Sequence, residues 1–195
     1  QSELAERLLH DDRVAMISFT GSTAVGRKVA ATVGATLGRR YMLECSGNNG
    51  CIVDETADLK LAARSITFGA VGTTGQRCTS TRRVIVHRSV ADELTDLLVR
   101  SFAQIAVGDP REPGAVVGPL IDRAAVGQFE RAVADAVALG GRVVHGGHRI
   151  DRPGSYVEPT LIADAEPDWP CVQHETFAPI VYVIPYDALD EAIRI

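Results

Sequence analysis

Cys78 closes the small-residue stretch VGTTGQRC and precedes the apolar run TRRVIVH. A thiol after a glycine-broken loop, beside Arg77, has the surroundings of a reactive cysteine. A neighbouring cation favours the thiolate, and the thiolate is the nucleophile. Such a group adds to an aldehyde carbonyl. On this stretch alone a structural cysteine is the other reading. Glu44 ends the run RRYMLE, just before the turn CSGNNG. A carboxylate at the C-terminal end of a parallel strand stands where ligands bind, and partial burial would raise its pKa toward that of a general base. A solvated strand-end glutamate fits the same residues. In FTGSTAVG, Gly21, Ser22 and Gly26 mark a junction of strand and helix. Backbone N–H groups at a helix start favour an anion, so a nucleotide phosphate would suit this turn. The turn is neither GxGxxG nor a Walker loop, and a plain Ser- or Thr-capped junction remains open.

The elements that must position these groups alternate. Residues 13–19 read as a strand, 24–38 as a helix with Val25, Val29 and Val33 on one face, and 39–44 as a second strand. That order is a βαβ-like unit of the kind found in parallel sheets. A turn over 45–50 leads to a short strand at 51–54. A helix from Asp58 to Ala70 follows, with Leu59, Leu61, Ile66 and Phe68 as its apolar positions. TRRVIVH (81–87) reads as a strand. Ser89 is placed to cap a helix over 90–105, whose stripe is Leu94, Leu97, Leu98 and Phe102. A Gly/Pro-rich loop (107–120) precedes a long helix at 121–139. The remainder reads as a strand at 140–147, extended pieces at 151–162 and 174–186, and a helix from Ala188 onward. The expected class is α/β with a mostly parallel sheet.

Composition narrows the function classes. Hydrophobic residues make up 46%, charged residues 23%, and the net charge is -5, all ordinary for a globular protein. The acidic balance argues against a nucleic-acid surface. No apolar run approaches the roughly 20 residues of a membrane helix. Cys45, Cys51, Cys78 and Cys171 form no C-x-x-C pair, which favours reduced thiols in a cytoplasmic protein. His10, His87, His145, His148 and His174 lack zinc-type spacing, so no metal is expected.

Taken together, FTGST, then LExxGNN, then GQRC, then ETFAP resemble the NAD(P)-dependent aldehyde dehydrogenase superfamily in order and spacing. GNN after the glutamate, GQRCTSTRR, DRPGSYVEPT and HETFAPI resemble its α-aminoadipic semialdehyde branch, which includes the antiquitin-type and piperideine-6-carboxylate dehydrogenases. The resemblance implies an aldehyde dehydrogenase-like α/β fold. Residues 1–44 would be the C-terminal part of an NAD-binding, Rossmann-type domain. Residues 45–195 would be most of a catalytic thiol domain, truncated at its C-terminus. It implies Cys78 as nucleophile, its backbone N–H as an oxyanion donor, and Glu44 as the base that activates water. Gly21, Ser22 and Gly26 would meet the cofactor diphosphate. Glu175 would bind the nicotinamide ribose and Phe177 would pack near the nicotinamide. The cofactor would be NAD, with NADP open, and the substrate a small aldehyde, α-aminoadipic semialdehyde in this branch. A homo-oligomer, dimeric or tetrameric, is expected of the complete protein. Arg77 has two readings: an anchor for the substrate carboxylate, or a scaffold arginine ordering the loop.

The sequence departs from that family in two ways. Where members usually carry Glu-Leu-Gly-Gly, this chain has Glu44-Cys45-Ser46-Gly47. Ser46 puts a side chain where glycine lets the backbone approach the nicotinamide. The chain is also less than half a family member's length, so a fragment, inactive in isolation, is the expectation. A non-catalytic binding or scaffold relative is the alternative function, favoured by Cys45-Ser46 and opposed by Cys78 and Glu44. A CoA-acylating enzyme is a third, opposed by Glu44.

Overall fold

The computed structural model describes residues 2–195. The chain divides into two compact units, Gln1–Gly47 and Asn48–Ile195.

The first unit holds α1 (Ser2–Leu9), β1 (Met16–Gly21), α2 (Thr23–Gly34) and β2 (Arg40–Cys45). β1 and β2 pair in parallel, with Thr20 opposite Glu44 and Gly21 opposite Cys45. This is the expected βαβ order. Alternation sends Ile17 and Phe19 of β1 and Leu43 of β2 toward α2, where they meet Val29 and Val33. Val25 is exposed, because the buried stripe of α2 runs through Gly26, Val29 and Val33 instead. Arg39 ties the unit together, donating to the carbonyls of Val14 and Leu9.

The second unit is a five-stranded sheet. Its strands are β3 (Asn49–Val53), β4 (Thr81–His87), β5 (Arg142–His145), β6 (Thr160–Ala163) and β7 (Ile180–Tyr186), in the order β3-β4-β7-β6-β5. All neighbours are parallel except the edge pair β5 and β6. One face carries α3 (Leu59–Val71) and α4 (Ala91–Phe102), with Ile66, Leu94, Leu98 and Phe102 against Val84, Val86, Val181 and Val183. The other carries α5 (Arg123–Ala138) and the short α6 (Pro170–Gln173), with Val126, Phe129 and Val172 against Ile180, Tyr182 and Ile184. The period of two along β7 thus supplies both cores. A last helix, α7 (Leu189–Arg194), follows β7.

Asp58 caps α3, accepting from the N–H groups of Lys60 and Leu61, and Asp122 caps α5 through Ala125. Ser89 does not cap α4. It lies inside a single 3-10 turn, Arg88–Val90, where the His87 ring accepts the Ser89 N–H, and α4 begins only at Ala91 with no side-chain cap. The expected apolar face of α3 is also only half right. Ala63, Ile66, Thr67 and Ala70 are buried, whereas Leu61 and Phe68 are exposed.

Candidate active site

Two clusters collect the sequence-singled residues, one in each unit. In the first, Glu44 and Gly21 stand at the C-terminal ends of their parallel strands, the edge where α/β sheets bind ligands. Glu44 is exposed and alternates with Leu43 and Cys45, which turn toward α2. Ser22 is the N-cap of α2, its Oγ accepting the Val25 N–H at 3.3 Å. Gly26 is buried, and a Cβ there would collide with Cys45 Sγ. Its absent side chain lets the end of β2 close on α2.

Ser46 sits in this cluster with φ +31°, a left-handed backbone value that favours glycine. Its N–H donates to Gly21 O at 3.3 Å, and its Oγ accepts the Thr23 N–H at 3.2 Å. Of the first three N–H groups of α2, Thr23's goes to Ser46 and Val25's to Ser22. That of Ala24 has no side-chain cap among the described residues.

In the second cluster the residues gather at the N-terminal edge of the parallel strands. Cys78 lies just before β4, Glu175 and Phe177 just before β7, and Asn49 opens β3. Cys78 is an exposed free thiol. The loop that carries it leaves α3 through Thr73, Thr74 and Gly75, with φ of 55°, 57° and 65°. Three successive left-handed residues are costly for the two threonines, about 1–2 kcal/mol each, so surrounding bonds must hold them. Thr74 Oγ1 donates to Gly118 O and Gln76 Nε2 to Pro119 O, while Gln76 Oε1 accepts the Ile121 N–H. Gly75 lies directly against the Ala178–Pro179 peptide, where a Cβ has no room. That close approach joins GQRC to ETFAP.

Asn49 holds the other side of the thiol, its Nδ2 donating to Cys78 O at 2.6 Å and Ser80 O at 3.0 Å. Arg82 lies beneath, 1% exposed. Nη1 donates to Ala178 O at 3.0 Å. Nη2 reaches Gly75 O (2.9 Å), Arg77 O (3.2 Å) and Glu175 Oε1 (3.3 Å). Burial pulls its pKa below the usual arginine range, and the Glu175 carboxylate opposes that shift. Its guanidinium also lies over the Phe177 ring, 5.6 Å from the centroid. Phe177 is 40% exposed. Arg77 turns the other way, over Gly72 and the exposed Phe68 ring, and makes no ion pair among the described residues.

Sequence reasoning missed Arg82 and Asn49. The signal for Arg82 was its parity: it lies on the same strand face as the buried Val84 and Val86 of TRRVIVH. Cys51 and Cys171 are different thiols, both pushed up in pKa by burial. Among the described residues no three His, Cys, Asp or Glu side chains converge on a metal position, and no helix is long and apolar enough to cross a membrane.

The model of the aldehyde dehydrogenase family matches residues 1–195. The chain belongs to that family. It is 45% identical over 193 residues to the α-aminoadipic semialdehyde dehydrogenase of Mus musculus, covering 99% of this chain and 36% of that protein. The NAD-dependent aldehyde dehydrogenase of Sinorhizobium meliloti superposes with a TM-score of 0.94 at 32% identity, over 97% of this chain and 38% of that one. Betaine aldehyde dehydrogenase from Staphylococcus aureus, solved in complex with NAD+, gives 0.92 at 27% identity, over 97% and 38%. The chain therefore spans little more than a third of the length of these relatives. Its aldehyde dehydrogenase fold is plain from both the superpositions and the mixed α/β sheet.

Proposed function

We propose that this chain contributes the nucleophile, the general base and part of the cofactor site to an NAD-dependent aldehyde dehydrogenase of the relatives' length. The observation that carries the reading is the exposed Cys78 thiol on a loop pinned by Asn49, Arg82 and the Gly75–Ala178 contact. In that enzyme the Cys78 thiolate adds to the aldehyde carbon. A C–S bond forms and the carbonyl π pair moves to oxygen, where the Cys78 N–H stabilises it. NAD, when bound, supplies the acceptor for the hydride that leaves this carbon. A thioester on Cys78 remains. Glu44 then takes a proton from water, the hydroxide adds, the C–S bond breaks, and the carboxylic acid departs with the thiolate restored.

The residues fit the cofactor in each unit. The α2 start keeps the Ala24 N–H without a side-chain cap, a suitable partner for a diphosphate oxygen beside Gly21 and Ser22. Glu175, steadied by Arg82, offers a carboxylate to a ribose diol, and Phe177 offers a half-exposed ring for a nicotinamide. Residues 1–44 would then end the NAD-binding domain and 45–195 would begin the catalytic one. NAD is the proposed cofactor, supported by the structural neighbour solved in complex with NAD+.

The favoured substrate is α-aminoadipic semialdehyde, supported by the identity to the mouse enzyme of that name. Arg77, without an ion-pair partner among the described residues, would receive the substrate's carboxylate. A cytoplasmic homo-oligomer, dimeric or tetrameric, completes the proposal. The test is NADH formation by the full-length polypeptide on α-aminoadipic, succinic, betaine and plain aliphatic aldehydes, with Cys78→Ala alongside. Preference for the aminoadipic substrate, abolished in the variant, is expected. NAD binding without turnover of any aldehyde would support a non-catalytic relative, for which the strained Ser46 is the favouring observation.

A further inference from the structure

Arg82 lies behind the thiol, too deeply buried to meet a substrate, yet its bonds reach the reacting peptide. The Arg77 carbonyl, which accepts from Nη2 at 3.2 Å, belongs to the same planar peptide unit as the Cys78 N–H. Fixing that oxygen fixes the direction of the N–H on the other side of the plane. A charged donor on the oxygen also polarises the amide and strengthens its N–H as a donor. Asn49 does the corresponding thing one peptide later by holding Cys78 O. Together with the Ser80 N–H, which also donates to Arg77 O at 3.0 Å, the two clamps hold the peptides on both sides of the thiol.

The second feature is the sharing of one nitrogen. Nη2 has two hydrogens and three acceptors: Gly75 O, Arg77 O and Glu175 Oε1. Glu175 is the only carboxylate within ion-pair distance of Arg82 among the described residues. It holds the guanidinium charged against desolvation, which keeps the clamp on Arg77 O in place. Nη1, on Ala178 O, sets where the guanidinium lies along the loop.

We infer that Arg82 is a positioning residue that aims and polarises the Cys78 N–H, so that it serves oxyanion stabilisation rather than thiol nucleophilicity. This rests on the reading of Cys78 as nucleophile. The inference separates two reactions of the same sulfur. Acylation by p-nitrophenyl acetate forms a C–S bond through a tetrahedral oxyanion and expels p-nitrophenolate; it needs the N–H and no NAD. Alkylation by iodoacetamide displaces iodide at a saturated carbon and builds no oxyanion.

The experiment uses the full-length polypeptide without NAD, comparing wild type with Arg82→Lys and Arg82→Met. Lysine keeps the buried charge but has one nitrogen in place of the planar fork. In Arg82→Lys the acylation rate is expected to fall by about 10- to 100-fold, approaching the loss of an oxyanion donor. Alkylation of Cys78 is expected to change by less than about threefold, since thiolate character is untouched. Equal losses in both reactions, or no loss in either, overturn the inference. If Arg82→Met does not fold, Arg82→Lys decides the matter alone. If neither folds, Arg82 is a structural residue and the inference is overturned. Cys78→Ala distinguishes the two levels. If that variant still acylates like wild type, the nucleophile assignment fails and the positioning role fails with it.

Discussion

The Asn49 side-chain amide donates to the main-chain oxygen of Cys78 at 2.6 Å, and from the same nitrogen to Ser80 O at 3.0 Å. One residue at the start of β3 thereby fixes the peptide that leaves the thiol. Asn49→Ala removes both donors, and the expected cost is about 1–2 kcal/mol of stability. Asn49→Asp should be worse than alanine, because a carboxylate would face two carbonyl oxygens. Thermal unfolding of the full-length variants, read with kcat, checks this order.

Ser46 pulls in two directions. Its left-handed backbone costs about 1 kcal/mol in a non-glycine residue, while its bond to the Thr23 N–H returns about 1 kcal/mol as a helix cap does. Ser46→Gly should therefore shift the unfolding temperature little. It frees the Thr23 N–H at the head of α2, so NAD should bind about threefold or more tightly, as expected for a further N–H at an anion site. Titration of NAD against intrinsic fluorescence, with wild type and variant side by side, reads it.

The proposed role of Arg77 as a carboxylate anchor is tested by comparing substrates. If its guanidinium meets the substrate carboxylate, Arg77→Ala should raise KM for α-aminoadipic semialdehyde by about 10-fold, the equivalent of one exposed charge-assisted bond. KM for a plain aliphatic aldehyde should stay put. Equal effects on both would assign Arg77 to the packing it makes over Phe68 and Gly72.

The thiols should label in order. Burial raises the pKa of Cys51 and Cys171, so each holds less thiolate near neutral pH than an open thiol would. Iodoacetamide at pH 7.5 should modify the exposed Cys78 first. Raising the pH should increase labelling at Cys51 and Cys171, because a raised pKa moves their ionisation to higher pH. Peptide mass mapping at two pH values gives the order.

Much of the frame was legible because the periodicities were strong. The order β1, α2, β2 followed from residues 13–44, and Leu94, Leu98 and Phe102 marked the buried stripe of α4. Other features were hidden for physical reasons. Ser89 looked like a cap, but the chain turns once more before α4 starts, and His87 takes the Ser89 N–H. Val25, Leu61 and Phe68 read as core yet lie exposed, since hydrophobicity alone does not say which helix face meets the sheet. Pro170–Gln173 is too short for helical periodicity to show. Cys78, Glu175 and Phe177 are proposed from motifs. Arg82 was not among them, because a charged residue at a strand start reads as solvated until its four acceptors are seen.

The most direct test of the account is to trap the acyl group. Full-length Glu44→Gln is mixed with NAD and the preferred aldehyde, quenched in acid, digested, and analysed by mass spectrometry. The account predicts one equivalent of NADH, then slow turnover, with the acyl mass on the peptide containing Cys78. Unslowed turnover in that variant would contradict the role of Glu44. Acylation at any residue other than Cys78 would contradict the central assignment.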